Sequence, residues 1–195
     1  MNLLPMPMKR ARTWALFCAS LLAATSALGC ATAKVTDASN GGSFDSKPPI
    51  TIILVRHAET EDEVQKDPAL SDAGKSRAAQ LAHIFANHEI GAVYSTDTKR
   101  TLETATPLAV SKNLKPIIYD SVEPLAAGLL RQHQGKTVLI VGHRPGIVEL
   151  LRRWSHDGGE KGREFPEPRH EDLYIVTHAG ASRVAVTRLQ LLPVP

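Results

Sequence analysis

Apolar and polar positions change period repeatedly along this chain. Residues 50–55 (ITIILV) form a short, largely β-branched run between Pro48-Pro49 and an Arg-His pair, which predicts a buried strand. The spacing then lengthens. Ala78, Leu81, Ala82 and Phe85 recur at three- and four-residue intervals, predicting a helix over residues 71–87 with Ser71 as its N-cap. Further runs at 91–96 (GAVYST), 115–120 (KPIIYD) and 136–143 (KTVLIVGH) read as strands two to four. Between and after them, residues 98–111, 124–133 and 146–154 read as helices. Residues 155–170 are polar, with Gly158-Gly159, Pro166 and Pro168, and read as a loop. The last stretch, 172–192, reads as two strands joined by a Gly-Ala-Ser turn. Strands alternating with helices predict an α/β domain: a mostly parallel central sheet with helices on both faces and a C-terminal hairpin at the edge.

The first 30 residues do not fit that alternation. Lys9, Arg10 and Arg12 precede an uncharged apolar stretch, residues 13–28, that is short against the roughly 20 residues of a membrane span. This is the pattern of an export signal. "SALGC" ending at Cys30 resembles the lipobox of bacterial lipoproteins, with Ala27 where Leu is usual, and predicts lipidation at Cys30. "ATA" at residues 31–33 would instead suit ordinary signal cleavage and a soluble exported protein. Residues 31–49, rich in Ser, Thr, Gly, Asp and Pro, read as a flexible tether, leaving 50–195 as the folded domain.

Composition sharpens this division. The two cysteines, Cys18 and Cys30, both lie in the signal, so the domain has no disulfide, no thiol nucleophile and no thiolate metal site. Setting aside Lys9, Arg10 and Arg12 takes 23 basic residues to 20, level with the 20 acidic ones. A near-neutral domain has no nucleic-acid footprint. Any functional positive charge must be local.

Local positive charge is what the strand ends supply. Arg56-His57 follows the first strand and His143 follows the fourth; Arg100 opens the helix after the second. In open α/β sheets, ligands bind at the carboxyl ends of strands. Two Arg and two His at one edge repel each other unless an anion sits among them. Phosphate suits guanidinium forks and a helix start, so phosphate-ester chemistry is the economical expectation.

The stretches LVRHAET, LSDAGKSRAAQLA, VYSTDTKRTLETA and VLIVGHRPGIVELL resemble, in order, the motifs of the histidine phosphatase superfamily, phosphoglycerate-mutase-like branch. The resemblance spans 50 to about 192 and is closest in size to the short phosphohistidine phosphatases. It implies that His57 is the nucleophile accepting the phosphoryl group, with Arg56, Arg100 and His143 stabilising its oxygens. It implies a carboxylate as general acid, at Glu123 or, as substitute, Asp120. It implies no metal and no cofactor. Glu59 belongs to the first motif and reads as a pocket-rim residue.

Three departures bear on function. Ala58 stands where Gly is commoner, and Glu63 where mutases and several phosphatases carry Asn. Only 19 residues separate Glu123 from His143, too few for the covering insertion of mutases. The expected protein is therefore an exported phosphatase with an open site, acting on a phosphorylated small molecule or phosphoprotein. A mutase and a phosphate-binding module without turnover are the alternatives. His83, His88, His133, His156, His170 and His178 follow no metal-ligand spacing and read as surface or loop residues.

Overall fold

The apolar runs become strands and the longer-period segments become helices, in the order β1 (Ile50–Arg56), α1 (Asp72–Ile84), β2 (Ala92–Ser95), α2 (Lys99–Ser111), β3 (Ile117–Ile118), α3 (Val122–Gln132), β4 (Thr137–Gly142), α4 (Arg144–Asp157), β5 (Asp172–His178) and β6 (Val184–Gln190). The structure is a computed structural model that describes residues 48–62, 66–159, 162–180 and 183–192. The chain divides into two units, Met1–Gly41 and Gly42–Pro195, and every described residue belongs to the second. The export signal with Cys30, the tether apart from Pro48 and Pro49, and Glu63 lie outside the described residues.

The six strands form one sheet in the order β3-β2-β4-β1-β5-β6. β1, β2, β3 and β4 run parallel; β5 is antiparallel to β1, and β6 to β5. Because side chains alternate across a strand, each central strand feeds two cores. Ile50, Ile52 and Leu54 join Val138 and Ile140 under α3 and α4, where Leu125, Leu129, Leu150 and Trp154 are buried. Ile53 and Val55 join Leu139 and Val141 under α1 and α2, against Leu81, Phe85, Ala105 and Leu108. Helices thus cover both faces. Burial on both sides is why β1 and β4 read as near-continuous apolar runs, and each such side chain contributes roughly 1.5–3 kcal/mol.

Element ends shift where proline misleads. α3 starts at Val122 and α4 at Arg144, so Pro124 and Pro145 sit inside their first turns. A first-turn N–H has no intrahelical acceptor, so its loss costs little there. α4 also continues to Asp157, into the stretch expected to be loop. β3 shrinks to Ile117–Ile118, an exposed edge pair; short edge strands limit unwanted pairing.

Two strand pairings bring the chemistry-bearing residues to one sheet edge. β1 pairs with β4 so that Arg56 lies opposite Gly142, and the next residues, His57 and His143, leave the sheet side by side. The antiparallel partner runs the other way: Val55 lies opposite Leu173, so the chain entering β5 arrives at the same edge. The start of α1 closes that edge. Ser71 caps it by accepting from the Gly74 N–H at 3.2 Å and donates its own N–H to the Glu59 carbonyl at 3.0 Å. A Cβ on Gly74 would collide with the Glu59 backbone, so glycine here lets the helix abut the loop after His57.

Candidate active site

His57 is held by its backbone and its ring. Its N–H donates to the Gly142 carbonyl at 3.0 Å, carrying the β1–β4 ladder one residue beyond the strand. Its Nδ1 lies 2.8 Å from the Ala58 carbonyl oxygen. A carbonyl only accepts, so Nδ1 carries the proton and the neutral ring keeps its lone pair on Nε2. The residue is 7% exposed. The Ala58 N–H donates to Thr104 Oγ1 at 2.9 Å, and that hydroxyl donates to the Arg100 carbonyl at 2.7 Å. The turn after His57 is therefore tied to the helix that carries Arg100.

His143 occupies the N-cap position of α4. Its Nε2 lies 3.1 Å from Thr96 Oγ1, and that hydroxyl lies 2.9 Å from Thr101 Oγ1, which fixes the ring from the β2–α2 connection. The His57 and His143 ring centres are 5.5 Å apart at 64°. Arg100 is the second residue of α2, and its Nη1 lies 3.5 Å from Asp67. Asp67 also accepts from the Lys99 N–H at 2.9 Å, so one carboxylate caps α2 and restrains its arginine. Arg56, at 8% exposure, is buried beside His57 at the end of β1.

The electrostatics make both imidazoles neutral bases. Burial, with the charges of Arg56, His170 and Arg100, lowers the His57 pKa from 6.5 to about 3, against the opposing bond to the Ala58 carbonyl. Burial, then Arg100 and Arg56, lowers that of His143, with Asp67 opposing. Between about pH 3 and 6.5 the unfolded chain therefore binds a proton at His57 that the folded chain refuses. Stability falls as the pH drops through that window. Above it, an unprotonated imidazole stands beside permanent guanidinium charge, a combination able to attack a phosphoryl centre and stabilise its oxygens.

The candidates meet unequally. His57 and His143 adjoin at the strand ends, with Arg56 and Arg100 close enough for both guanidinium charges to depress each ring. Glu123 stands apart from this contact set: it lies in the first turn of α3 and forms an ion pair with Arg153 of α4. Its neighbour Val122 packs against Gly146 in the first turn of α4, three residues after His143. Asp120 is exposed after β3. Glu59 is tied to Arg77 of α1 through contacts of 2.6–2.9 Å. Although burial raises its pKa, those bonds hold it below the usual carboxylate value.

Of three histidines with defined contacts, His170 and His133 lie in loops as expected, and His178 departs from the expectation by sitting in a strand. His170 donates Nδ1–H to the His57 carbonyl at 2.7 Å, and its ring centre is 5.3 Å from that of His57. His178 is buried in β5, and half-buried His133 meets the Tyr94 hydroxyl at 2.8 Å. His83, His88 and His156 are exposed as expected. Sequence reasoning misses Thr96, Thr104 and Asp67; the threonines clustered around the α2 start are the only signal they leave. A cleft of about 690 Å3 at the amino ends of β2 and β4, lined by residues 86–91 with Lys112 and Lys136, contains none of these groups.

Comparison with known proteins agrees with the geometry. The family model of the histidine phosphatase superfamily (branch 1) matches residues 52–128. Phosphoserine phosphatase 1 of Hydrogenobacter thermophilus is 37% identical over 86 residues, 41% of each chain. Glucosyl-3-phosphoglycerate phosphatase of Mycolicibacterium vanbaalenii is 31% identical over 119 residues, 56% of this chain and 52% of that one. The chain thus spans about half the length or less of these curated relatives. The protein histidine phosphatase SixA complexed with tungstate shares the fold at a TM-score of 0.57 and 16% identity, covering 72% of this chain and 96% of that one. A mycobacterial glucosyl-3-phosphoglycerate phosphatase bound to VO3 does so at 0.59 and 14%, covering 70% and 96%.

Proposed function

Because residues 52–128 match the family model of the histidine phosphatase superfamily (branch 1), we propose that the chain belongs to that superfamily and is a phosphatase that hydrolyses phosphomonoesters or phosphoramidates through a phosphohistidine on His57. The observation that carries this reading is the neutral, Nδ1-anchored imidazole of His57, set beside His143 and within the field of Arg56 and Arg100.

In the first step His57 Nε2 bonds to phosphorus while the bond from phosphorus to the leaving oxygen or nitrogen breaks. Arg56, Arg100 and His143 hold the three remaining oxygens as charge develops. The leaving atom needs a proton, which we assign to Glu123 with Asp120 as substitute; Glu123 must first exchange its Arg153 partner. In the second step a water oxygen bonds to phosphorus, the N–P bond breaks, and the water's proton returns to that carboxylate. Phosphate leaves and the imidazole is again neutral. The relatives named for phosphoserine and glucosyl-3-phosphoglycerate support a small phosphomonoester as substrate, and a phosphoprotein would present the same group.

The purified protein is expected to release phosphate from p-nitrophenyl phosphate, phosphoserine and a phosphoramidate with a metal chelator present. Tungstate binding without turnover across that panel would leave a phosphate-binding module instead. Transfer of phosphate between positions of one substrate would mark a mutase; direct passage from α3 into β4, with no covering insertion, disfavours it.

We further propose that residues 1–30 direct export and that Cys30 is lipidated, on the charged start, apolar stretch and SALGC sequence. In a bacterial host, labelled palmitate should enter the wild-type chain and not Cys30→Ser. Equal labelling of both would remove the lipoprotein reading.

A further inference from the structure

The β5 strand stops pairing with β1 at Val55 opposite Leu173, two residues short of the nucleophile. On the other side β4 continues to hold His57 through the Gly142 carbonyl. The loop leading into β5 makes up the missing support with a side chain: His170 Nδ1–H donates to the His57 carbonyl at 2.7 Å. The same ring flanks that of His57 at 5.3 Å and 59°, while His143 flanks it at 5.5 Å and 64°. The nucleophile thus has a neighbouring imidazole from each of two loops, and a main-chain tie from each of two strands or their approaches.

The loop that carries His170 is itself fixed. The Arg169 N–H donates to Asp172 at 2.9 Å, and Asp172, wholly buried, is gripped by Arg188 of β6 at 2.8 Å through both carboxylate oxygens. The hairpin at the sheet edge therefore ends in a rigid hand on the nucleophile. We propose that His170 is a positioning residue: its bond to the His57 carbonyl and its ring beside the imidazole hold Nε2 on the line of attack at phosphorus. This deepens, and rests on, the phosphatase reading. His170 acts through His57, and the oxygens of the phosphoryl group are left to Arg56, Arg100 and His143.

Displacing a reacting atom by about 1 Å costs on the order of 100-fold in rate. In the full-length protein, His170→Ala is expected to slow p-nitrophenol release in the first turnover by at least ~10-fold, with the tungstate inhibition constant changed by less than about threefold. His170→Asn keeps an N–H donor near the place of Nδ1 and is expected to bring that rate back to within about threefold of wild type. An unchanged rate in His170→Ala would overturn the proposal. So would His170→Asn as slow as His170→Ala, or tungstate affinity falling in step with the rate. A second readout needs no turnover: the His57 Nδ1–H resonance should be sharp in wild type and His170→Asn and exchange-broadened in His170→Ala. Equal sharpness in all three would overturn the proposal. A wild type that releases no p-nitrophenol while showing this spectral pattern would sink the phosphatase reading, and the role at phosphorus with it, while showing that His170 does order the His57 ring.

Discussion

His57→Ala is expected to remove phosphomonoester turnover, by at least ~1,000-fold, while the protein stays folded. No neighbouring group replaces the lost atom. His143 is committed by Nε2 to Thr96, and the bond from His170 Nδ1 to the carbonyl of residue 57 holds that ring to one side, its centre 5.3 Å from the place of the lost imidazole. Arg56 and Arg100 are cations and cannot attack. The same substitution has a second signature, in stability. Wild type should lose stability as the pH falls from about 7.5 to about 5, because the unfolded chain gains a proton at His57 that the native site, with its pKa lowered to about 3, rejects. In His57→Ala that contribution is gone, so the loss between the two pH values should be smaller. Thermal melts at both values, beside steady-state assays, check the two signatures together. A variant with full turnover, or a pH dependence of stability identical to wild type, would contradict the assignment.

Arg100→Ala is expected to lower kcat/KM by about 100- to 1,000-fold, the range for deleting one preorganised donor to transition-state charge. Three features concentrate the effect in this side chain. It starts α2, where free backbone N–H groups already favour an anion. It is largely buried, so its charge is poorly screened. Its partner Asp67 is restrained by the Lys99 N–H and its charge reaches the His143 ring, so removing Arg100 leaves a fixed, unpaired carboxylate near the proposed phosphate site. Repulsion then adds to the lost attraction. Arg100→Lys should recover little, since an ammonium cannot serve Asp67 and a phosphoryl oxygen with one planar fork. Tungstate inhibition measured on both variants checks the binding component; kcat checks the rest.

How far the site is legible in the sequence depends on which interactions are local. His57 and His143 are legible because each follows a buried apolar run, and parallel neighbours bring such ends together. Arg100 is legible as the opening of a helix, and Ser71 as a cap that does accept from Gly74. His170 is not. Its place depends on β5 lying antiparallel beside β1, and nothing within residues 172–178 tells which strand they will join or in which direction. A hairpin laid against the central strand brings the residues before β5 to the sheet edge that carries His57 and His143, and that geometric signal is the one that could have found it. Asp67 and Thr104 escape for a similar reason, since their partners lie 32 and 46 residues away. Glu123 is legible as a first-turn acid of α3, while its ion pair with Arg153 depends on the packing of two helices whose registers the sequence does not disclose.

The central claim is a phosphoryl group carried on one nitrogen. The direct measurement is rapid acid-free quenching of the protein during turnover of a radiophosphate-labelled substrate, with peptide mapping of the product. The expected label is stable to base, labile to acid, located on His57 and absent from His57→Ala. Turnover at the wild-type rate with no such label, or a label that persists in His57→Ala, would contradict it.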